Sequence, residues 1–201
     1  MKPLSEATIF VSIAAYRDPQ LPLTVASLFA QAEHPERVFV GVFNQIHLQD
    51  DQDCVAPDRP NLLQHLIDYN EAQGACWARG YVWNKLLGEQ DFALQIDSHS
   101  RFAPNWDTSV LQMHADIGDE QAVITHYPMG FDTETGALDA QMYTYFNVQS
   151  FRATQLPEVT SGAVDVQAAP KRCAQTAFVA AGSLFGRGAM FKQVPYDPYI
   201  Y

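Results

Sequence analysis

An open, mostly parallel α/β sheet flanked by helices is the fold class that the sequence predicts, and three observations carry it. Ile9 to Tyr16 reads Ile-Phe-Val-Ser-Ile-Ala-Ala-Tyr, the near-continuous apolar and β-branched run of a strand buried on both faces. Leu21 to Ala32 then places apolar residues at 21, 25, 28, 29 and 32, the spacing of an amphipathic helix. Arg37 to Asn44 is a second buried strand. Strand, helix and strand within about 35 residues make the right-handed crossover unit of a parallel sheet.

The remaining elements follow in order. Gln45 to Pro60 turns polar and acidic, with Asp50, Asp51, Asp53 and Asp58, and reads as an exposed loop. It lacks the glycine and distal glutamate of a Ca²⁺ loop. Leu62 to Asn70 fits a short helix or a strand. Ala75 to Leu87 is a helix, with Trp77, Val82, Trp83 and Leu86 on a broad apolar side and Arg79 near its middle. It leads into a strand beginning at Phe92, a second crossover. Trp106, Val110, Leu111, Met113 and Ile117 mark another helix, and Gln121 to Tyr127 another strand. From Met129 to Arg172, strand-like pieces such as Met142 to Phe151 alternate with Gly, Pro and Thr, as in an excursion from the sheet that builds a substrate surface. Thr176 to Arg187 is again strand-like, with Gly182 allowing close approach of a ligand or backbone, and Gly188 to Lys192 starts a short helix. Trp77, Trp83 and Trp106 read as packing residues rather than a sugar platform.

With 201 residues, 47% of them hydrophobic and 17% charged, the chain has the composition of one globular domain. The formal charge of −11 excludes nucleic acid and anionic membranes as partners over most of the surface, while leaving room for a small anion at a local cation. The first residues lack the apolar core of a signal peptide, and no apolar run reaches the roughly 18 to 20 residues of a membrane span, so a cytoplasmic location is expected. Cys54, Cys76 and Cys173 are odd in number and scattered, which reads as reduced thiols.

The chemistry concentrates in Phe92 to Phe102, Phe-Ala-Leu-Gln-Ile-Asp-Ser-His-Ser-Arg-Phe. If extended backbone continues two residues past Asp97, Asp97 and His99 point the same way, because side chains on a strand repeat every second residue. One carboxylate and one imidazole then suit a divalent cation of intermediate hardness, Mn²⁺ before Mg²⁺, with open positions for oxygens such as those of a diphosphate. The competing reading is an ordinary turn in which Asp97 bonds backbone amides and His99 is solvated. Arg101 shares their parity and either faces the same anion or pairs with a surface carboxylate. Arg79, taken alone, also reads as a helix arginine whose stem lies along apolar surface. His34, His47, His65, His114 and His126 lack metal-ligand spacing, His126 drawing notice only for its place at a strand end.

Ligands of open α/β sheets bind beyond the carboxyl ends of the strands, so Tyr16, Arg17 and Asp18 at one strand end and Asp97, Ser98 and His99 at another are expected to share a crevice. No glycine fingerprint follows the first strand, which argues against NAD and ATP enzymes and weakens the case for a nucleotidyltransferase.

Four ordered stretches, Ser-Ile-Ala-Ala-Tyr-Arg-Asp-Pro from Ser12, Cys-Trp-Ala-Arg at 76 to 79, Gln-Ile-Asp-Ser-His-Ser-Arg-Phe at 95 to 102 and Ala-Gly-Ser-Leu-Phe-Gly at 181 to 186, resemble the cytoplasmic polypeptide N-acetylglucosaminyltransferases that modify hydroxyproline. More distantly they resemble the mucin-type polypeptide N-acetylgalactosaminyltransferases. The resemblance implies a GT-A nucleotide-sugar fold, a UDP-sugar donor, a divalent cation, a protein or peptide acceptor and transfer with retention. It matches Asp97 and His99 to the metal-binding Asp-x-His and Arg79 to an arginine facing the nucleotide. Ala14, Tyr16 and Arg17 fall where the uridine is held, Ser98 inside the metal motif, and Gly182 and Ser183 beside the donor sugar and acceptor. Residues 1–103 would form the nucleotide-binding half of a single domain and 104–201 an acceptor-side half. The family continues past the Tyr-Asp-Pro region into a further acidic segment, so the second half is expected to be incomplete, and the alternative is a relative that binds a nucleotide sugar or a partner without transfer.

Overall fold

Alternate residues of the first strand, β1 (Ile9–Tyr16), feed two different cores. Ile9, Val11, Ile13 and Ala15 enter one; Phe10 and Ala14 belong to the other, as strand pleating demands. The computed structural model describes residues 3 to 199 apart from 140–141, 156, 166, 168–172, 177–178 and 198.

Six strands form the main sheet in the order β3-β2-β1-β4-β8-β5. Here β2 is Val38–Ile46, β3 Leu62–Asp68, β4 Phe92–Asp97, β5 Ile124–Thr125 and β8 Ser183–Arg187. Strands β3, β2, β1 and β4 run parallel, and β8 is antiparallel to both β4 and β5. Between β1 and β2 runs α1 (Leu21–Ala30), which buries Leu21, Val25, Leu28 and Phe29 with Trp106 and Leu111 of α3 (Trp106–Ile117) against one sheet face. The other face takes Ala78 of α2 (Ala75–Tyr81), Val82, Trp83 and Phe191 of α4 (Gly188–Gln193). Each buried Leu, Val or Phe among them contributes about 1.5–3 kcal/mol of transfer free energy. Both crossovers and the mostly parallel sheet follow the expectation from sequence.

Several boundaries move for identifiable reasons. The first helix stops at Ala30, not Ala32, and Pro35 opens a tight turn just beyond. Strand β2 extends past Asn44 because Gln45 pairs with Tyr16 on one side and Ile67 on the other. The ambiguous segment after Leu62 is a strand, ended at Asp68, whose carboxylate accepts from the Asn70 amide. The helix expected through Leu87 is α-helical only to Tyr81; Val82–Leu86 widen into a π turn closed by the Leu87 amide on Val82 O at 3.0 Å. That turn seats Trp83 edge-on to Phe191, with ring centroids 4.4 Å apart. Of the strand expected over Gln121 to Tyr127, only Ile124 and Thr125 pair, with Phe185 and Leu184.

The excursion contains a separate antiparallel hairpin, β6 (Met142–Phe151) with β7 (Pro157–Asp165); its positions 140–141, 156, 166 and 168–172 lie outside the described residues, as do 177–178 of the next expected strand. Among the described residues that last strand starts only at Ser183. Trp83 and Trp106 are buried, and the Trp106 indole donates to Leu28 O at 2.8 Å, in line with their reading as packing residues. The three cysteines are free thiols. No helix among the described residues is long and apolar enough to cross a membrane.

Candidate active site

Strand β4 ends at Asp97, and the chain bends at once. The bend is held from α1: Thr24 Oγ1 donates to Ser98 O at 2.6 Å and accepts from the Ser100 amide at 2.9 Å. The extended backbone on which the shared direction of Asp97, His99 and Arg101 depends is therefore absent, and the competing turn reading holds for the bend and the exposed His99, although Asp97 bonds Arg79. Asp97 and His99 nevertheless line one open cleft of about 880 Å³ at the carboxyl end of the sheet.

Its polar wall is Asp18, Gln20, Asp97, His99 and Ser100; its apolar wall includes Tyr127, Pro128, Met129, Phe131, Val159 and Val179. The expected meeting of the β1 and β4 ends in one crevice is thus found, through Asp18 and Asp97. Asp97 lies on the α2 side of the sheet, level with Ala14 in the β1–β4 register. Arg79 reaches it from α2, with Nη2 donating to Asp97 Oδ1 at 3.0 Å. The other carboxylate oxygen faces Gly182: a Cβ on that glycine would lie 2.6 Å from Asp97 Oδ2. The close approach expected at Gly182 is therefore to a carboxylate. Its loop is pinned by Gln95 Nε2 donating to Ala181 O at 2.8 Å and by the Ala180 amide donating to Thr125 Oγ1 at 2.8 Å.

His99 is presented differently. Its side chain is 61% exposed, and Nδ1 lies 2.9 Å from Asp18 Oδ2. Ser98, expected inside the motif to touch ligand, is buried and gives its hydroxyl to the same Asp18 oxygen at 2.5 Å. Burial pushes the Asp18 carboxyl up, but the bonds from Ser98, His99 and the Gln20 amide outweigh it and hold the group below the usual carboxylate value.

The other expected residues stand further from the cleft wall. Arg101 donates to Gln20 Oε1 at 2.5 Å and to Ser100 O at 2.9 Å, and its guanidinium stacks 4.3 Å from the Phe131 centroid. It buttresses three wall residues, and burial lowers its pKa against the opposing Asp18 charge. Ser183 is buried, its hydroxyl 2.9 Å from His126 Nδ1, so the strand-end histidine touches the site's supporting loop. Tyr16 and Arg17 form a second cluster beyond β1 to β3. There Arg17, with a left-handed φ of 48°, pairs with Asp51 at 2.7 Å and lies 4.7 Å from the Tyr69 ring centroid, while Tyr16 meets the same ring edge-on. The hydrogen bond to Asp51 raises the Arg17 pKa against the effect of burial. Gln20, Tyr127, Phe131 and Val159 carry no sequence signal for a site; composition alone marks their segments as loop or strand.

An aspartate and an imidazole lining one cleft, the aspartate anchored by an arginine and the imidazole by a second carboxylate, are donor types that suit a divalent cation keeping open positions. The described residues hold no cluster of three or more His, Cys, Asp and Glu side chains able to bind a metal, so Asp97 and His99 would leave most positions to the ligand.

Among solved structures the chain is similar to S. aureus TarS 1–349, at 12% identity and a TM-score of 0.54 over 92% of this chain and 48% of that one. It is also similar to TarS 1–349 in complex with UDP-GlcNAc, at 14% identity and a TM-score of 0.47 over 67% of this chain and 38% of that one. A third, the Pyrobaculum calidifontis mannosyltransferase PcManGT in complex with GDP-Man and Mn²⁺, gives 12% identity and a TM-score of 0.41 over 63% of this chain and 39% of that one. The chain thus spans less than half the length of these structures. The TarS likeness over most of this chain makes the fold GT-A. No curated protein matches the chain. The family model described as Glycosyltransferase (GlcNAc) matches residues 8–66 and 58–201, and with nearly the whole sheet and cleft inside those limits the chain belongs to that glycosyltransferase family.

Proposed function

We propose that the protein transfers N-acetylglucosamine, or a related sugar, from a UDP-sugar to a polypeptide hydroxyl, with Mn²⁺ or Mg²⁺ as cofactor and with retention of configuration. The observation that supports this reading most is that Asp97 and His99 both line a cleft large enough for a nucleotide sugar. Breaking the sugar–phosphate bond leaves negative charge on the departing diphosphate, which a bound divalent cation stabilises.

The chain's own residues prepare that site. Arg79 fixes one oxygen of Asp97, and Gly182 leaves the other open to the cleft. Ala14, Tyr16 and Arg17 take the uridine end, Ser98 supports the metal motif through Asp18, and Arg101 holds Gln20 in place beside the diphosphate while its guanidinium stacks on Phe131 of the acceptor side. Gly182 and Ser183 border the sugar. Residues 1–103 then act as the nucleotide half and 104–201 as the acceptor half, where the apolar wall from Tyr127 to Phe131, with Val159 of β7, suits a neutral peptide. Hydroxyproline in a cytoplasmic polypeptide is the acceptor that the resemblance implies. No protein nucleophile is obligatory for this chemistry.

The test is mass-shift transfer from UDP-N-acetylglucosamine to hydroxyproline and Ser/Thr peptides with and without Mn²⁺, with Asp97→Ala as control. Transfer that survives both metal chelation and Asp97→Ala would sink the reading. Affinity for UDP with Mn²⁺ but no sugar loss would mark the chain as a binder.

A further inference from the structure

We propose that Asp18 is a positioning residue: its carboxylate holds the His99 imidazole in the Nδ1–H tautomer and thereby presents the Nε2 lone pair to the cleft as a ligand. The inference rests on the reading of His99 as a metal ligand and names what prepares it.

Two features of the geometry carry it. A carboxylate accepts hydrogen bonds and donates none, so the proton in the 2.9 Å contact between Asp18 Oδ2 and His99 Nδ1 belongs to the ring nitrogen. That leaves Nε2 unprotonated in the neutral ring, the state a metal requires. A neutral imidazole in water favours the opposite tautomer, so the local partner decides the outcome. Packing does not hold the ring, because the His99 side chain is 61% exposed whereas that of Asp18 is only 15% exposed. Orientation comes from the buried partner.

Asp18 is itself fixed. Its Oδ1 accepts from the Gln20 amide at 2.9 Å, its backbone carbonyl accepts from the Leu21 amide at 3.2 Å, and Ser98 Oγ donates to Oδ2 at 2.5 Å. One turn further on, Thr24 holds the Ser98 to Ser100 bend. The start of α1 therefore carries both the clamp on the bend and the group that aims the imidazole, across 81 residues of sequence. A carboxylate bonded to the second ring nitrogen of a histidine ligand typically contributes about 10- to 100-fold in metal affinity.

The experiment is long-range ¹H–¹⁵N correlation on the histidine rings of the metal-free protein at pH 8, with His99→Ala assigning the signal. Wild-type His99 is expected as Nδ1–H, and Asp18→Ala is expected to return it to a mixture dominated by Nε2–H. Asp18→Asn is a sharper variant should alanine disturb the start of α1. It keeps an acceptor for the Gln20 amide and places an NH₂ donor opposite Nδ1, which forces Nε2–H. Mn²⁺ titration by electron paramagnetic resonance, without nucleotide sugar, should show about 10- to 100-fold weaker binding in both variants. Wild-type His99 found as Nε2–H, or unchanged in Asp18→Asn, overturns the proposal. Absence of Mn²⁺ binding by the wild type would instead overturn the metal assignment, with the ring signals still deciding the role of Asp18.

Discussion

The Asp97 carboxylate and Gly182 lie so close that a methyl group on the glycine would sit 2.6 Å from Asp97 Oδ2. The nearest atom is a carboxylate oxygen with little freedom to retreat, because Asp97 Oδ1 is tied to Arg79 at 3.0 Å. Gly182→Ala is therefore expected to push the carboxylate out of line. Turnover should fall by about 100-fold, the scale on which a misplacement of about 1 Å acts, while urea unfolding shows a loss of about 1–3 kcal/mol from overpacking. A variant with unchanged kcat and Mn²⁺ affinity would show that Asp97 does not depend on this spacing.

Arg79 is the other half of that arrangement. Asp97 is 38% exposed in its side chain, so solvent screens the pair and Arg79→Ala should cost less than about 1 kcal/mol of stability. Its effect belongs in catalysis: loss of an aligned donor is expected to lower kcat/KM by about tenfold or more. Arg79→Lys restores charge without the planar fork and should recover only part of the loss. Steady-state kinetics beside thermal denaturation separates the two effects.

Phe131→Ala probes the opposite wall. The ring lies 4.3 Å from the Arg101 guanidinium and lines the cleft, so its removal loosens Arg101 and opens the apolar side. A several-fold rise in KM for a peptide acceptor is expected, with a smaller rise in KM for the nucleotide sugar through the loosened Arg101. A rise in the donor KM alone would reverse the assignment of the two halves.

His114 sets a pH dependence away from the cleft. It is buried edge-on to Phe92 and Phe185, with Nε2 3.1 Å from Ala122 O, and burial lowers its pKa below the ordinary 6.5. Below pH 6.5 the unfolded chain takes up this proton before the folded one does, so stability is full above that value and declines as pH falls toward the folded pKa. Urea midpoints measured from pH 8 to pH 5 should fall in the wild type and fall less in His114→Gln. Equal slopes would show that His114 takes up its proton in the folded chain as readily as in the unfolded one.

What the sequence disclosed follows from range. Strands β1 and β4 and helices α1 and α3 announce themselves because their apolar spacing is local. The meeting of the β1 and β4 ends was legible too, since a parallel sheet brings carboxyl ends together whatever the residues are. The bend at Ser98 was legible only as the competing turn reading, because what sets it is Thr24, 74 residues earlier. Asp-x-His therefore looked like strand parity when its two side chains are aimed by separate partners. Similarly, Gln121 to Tyr127 has the composition of a full strand, but β8 offers pairing only to Ile124 and Thr125 before its chain turns at Gly182. The short paired edge frees the following residues to line the cleft.

The placement of β8 between β4 and β5 has a consequence for how the protein is made. Gln95 grips Ala181 across 86 residues, so a nascent chain has strand β4 outside the ribosome long before the loop that packs against Asp97. At 5–20 residues per second that interval is on the order of ten seconds. Throughout it the β4 edge, the Phe92 ring that later meets Phe185 and the Trp83 indole that later meets Phe191 remain uncovered, which makes the half-built sheet, rather than the finished fold, the stage most exposed to chaperone capture or self-association.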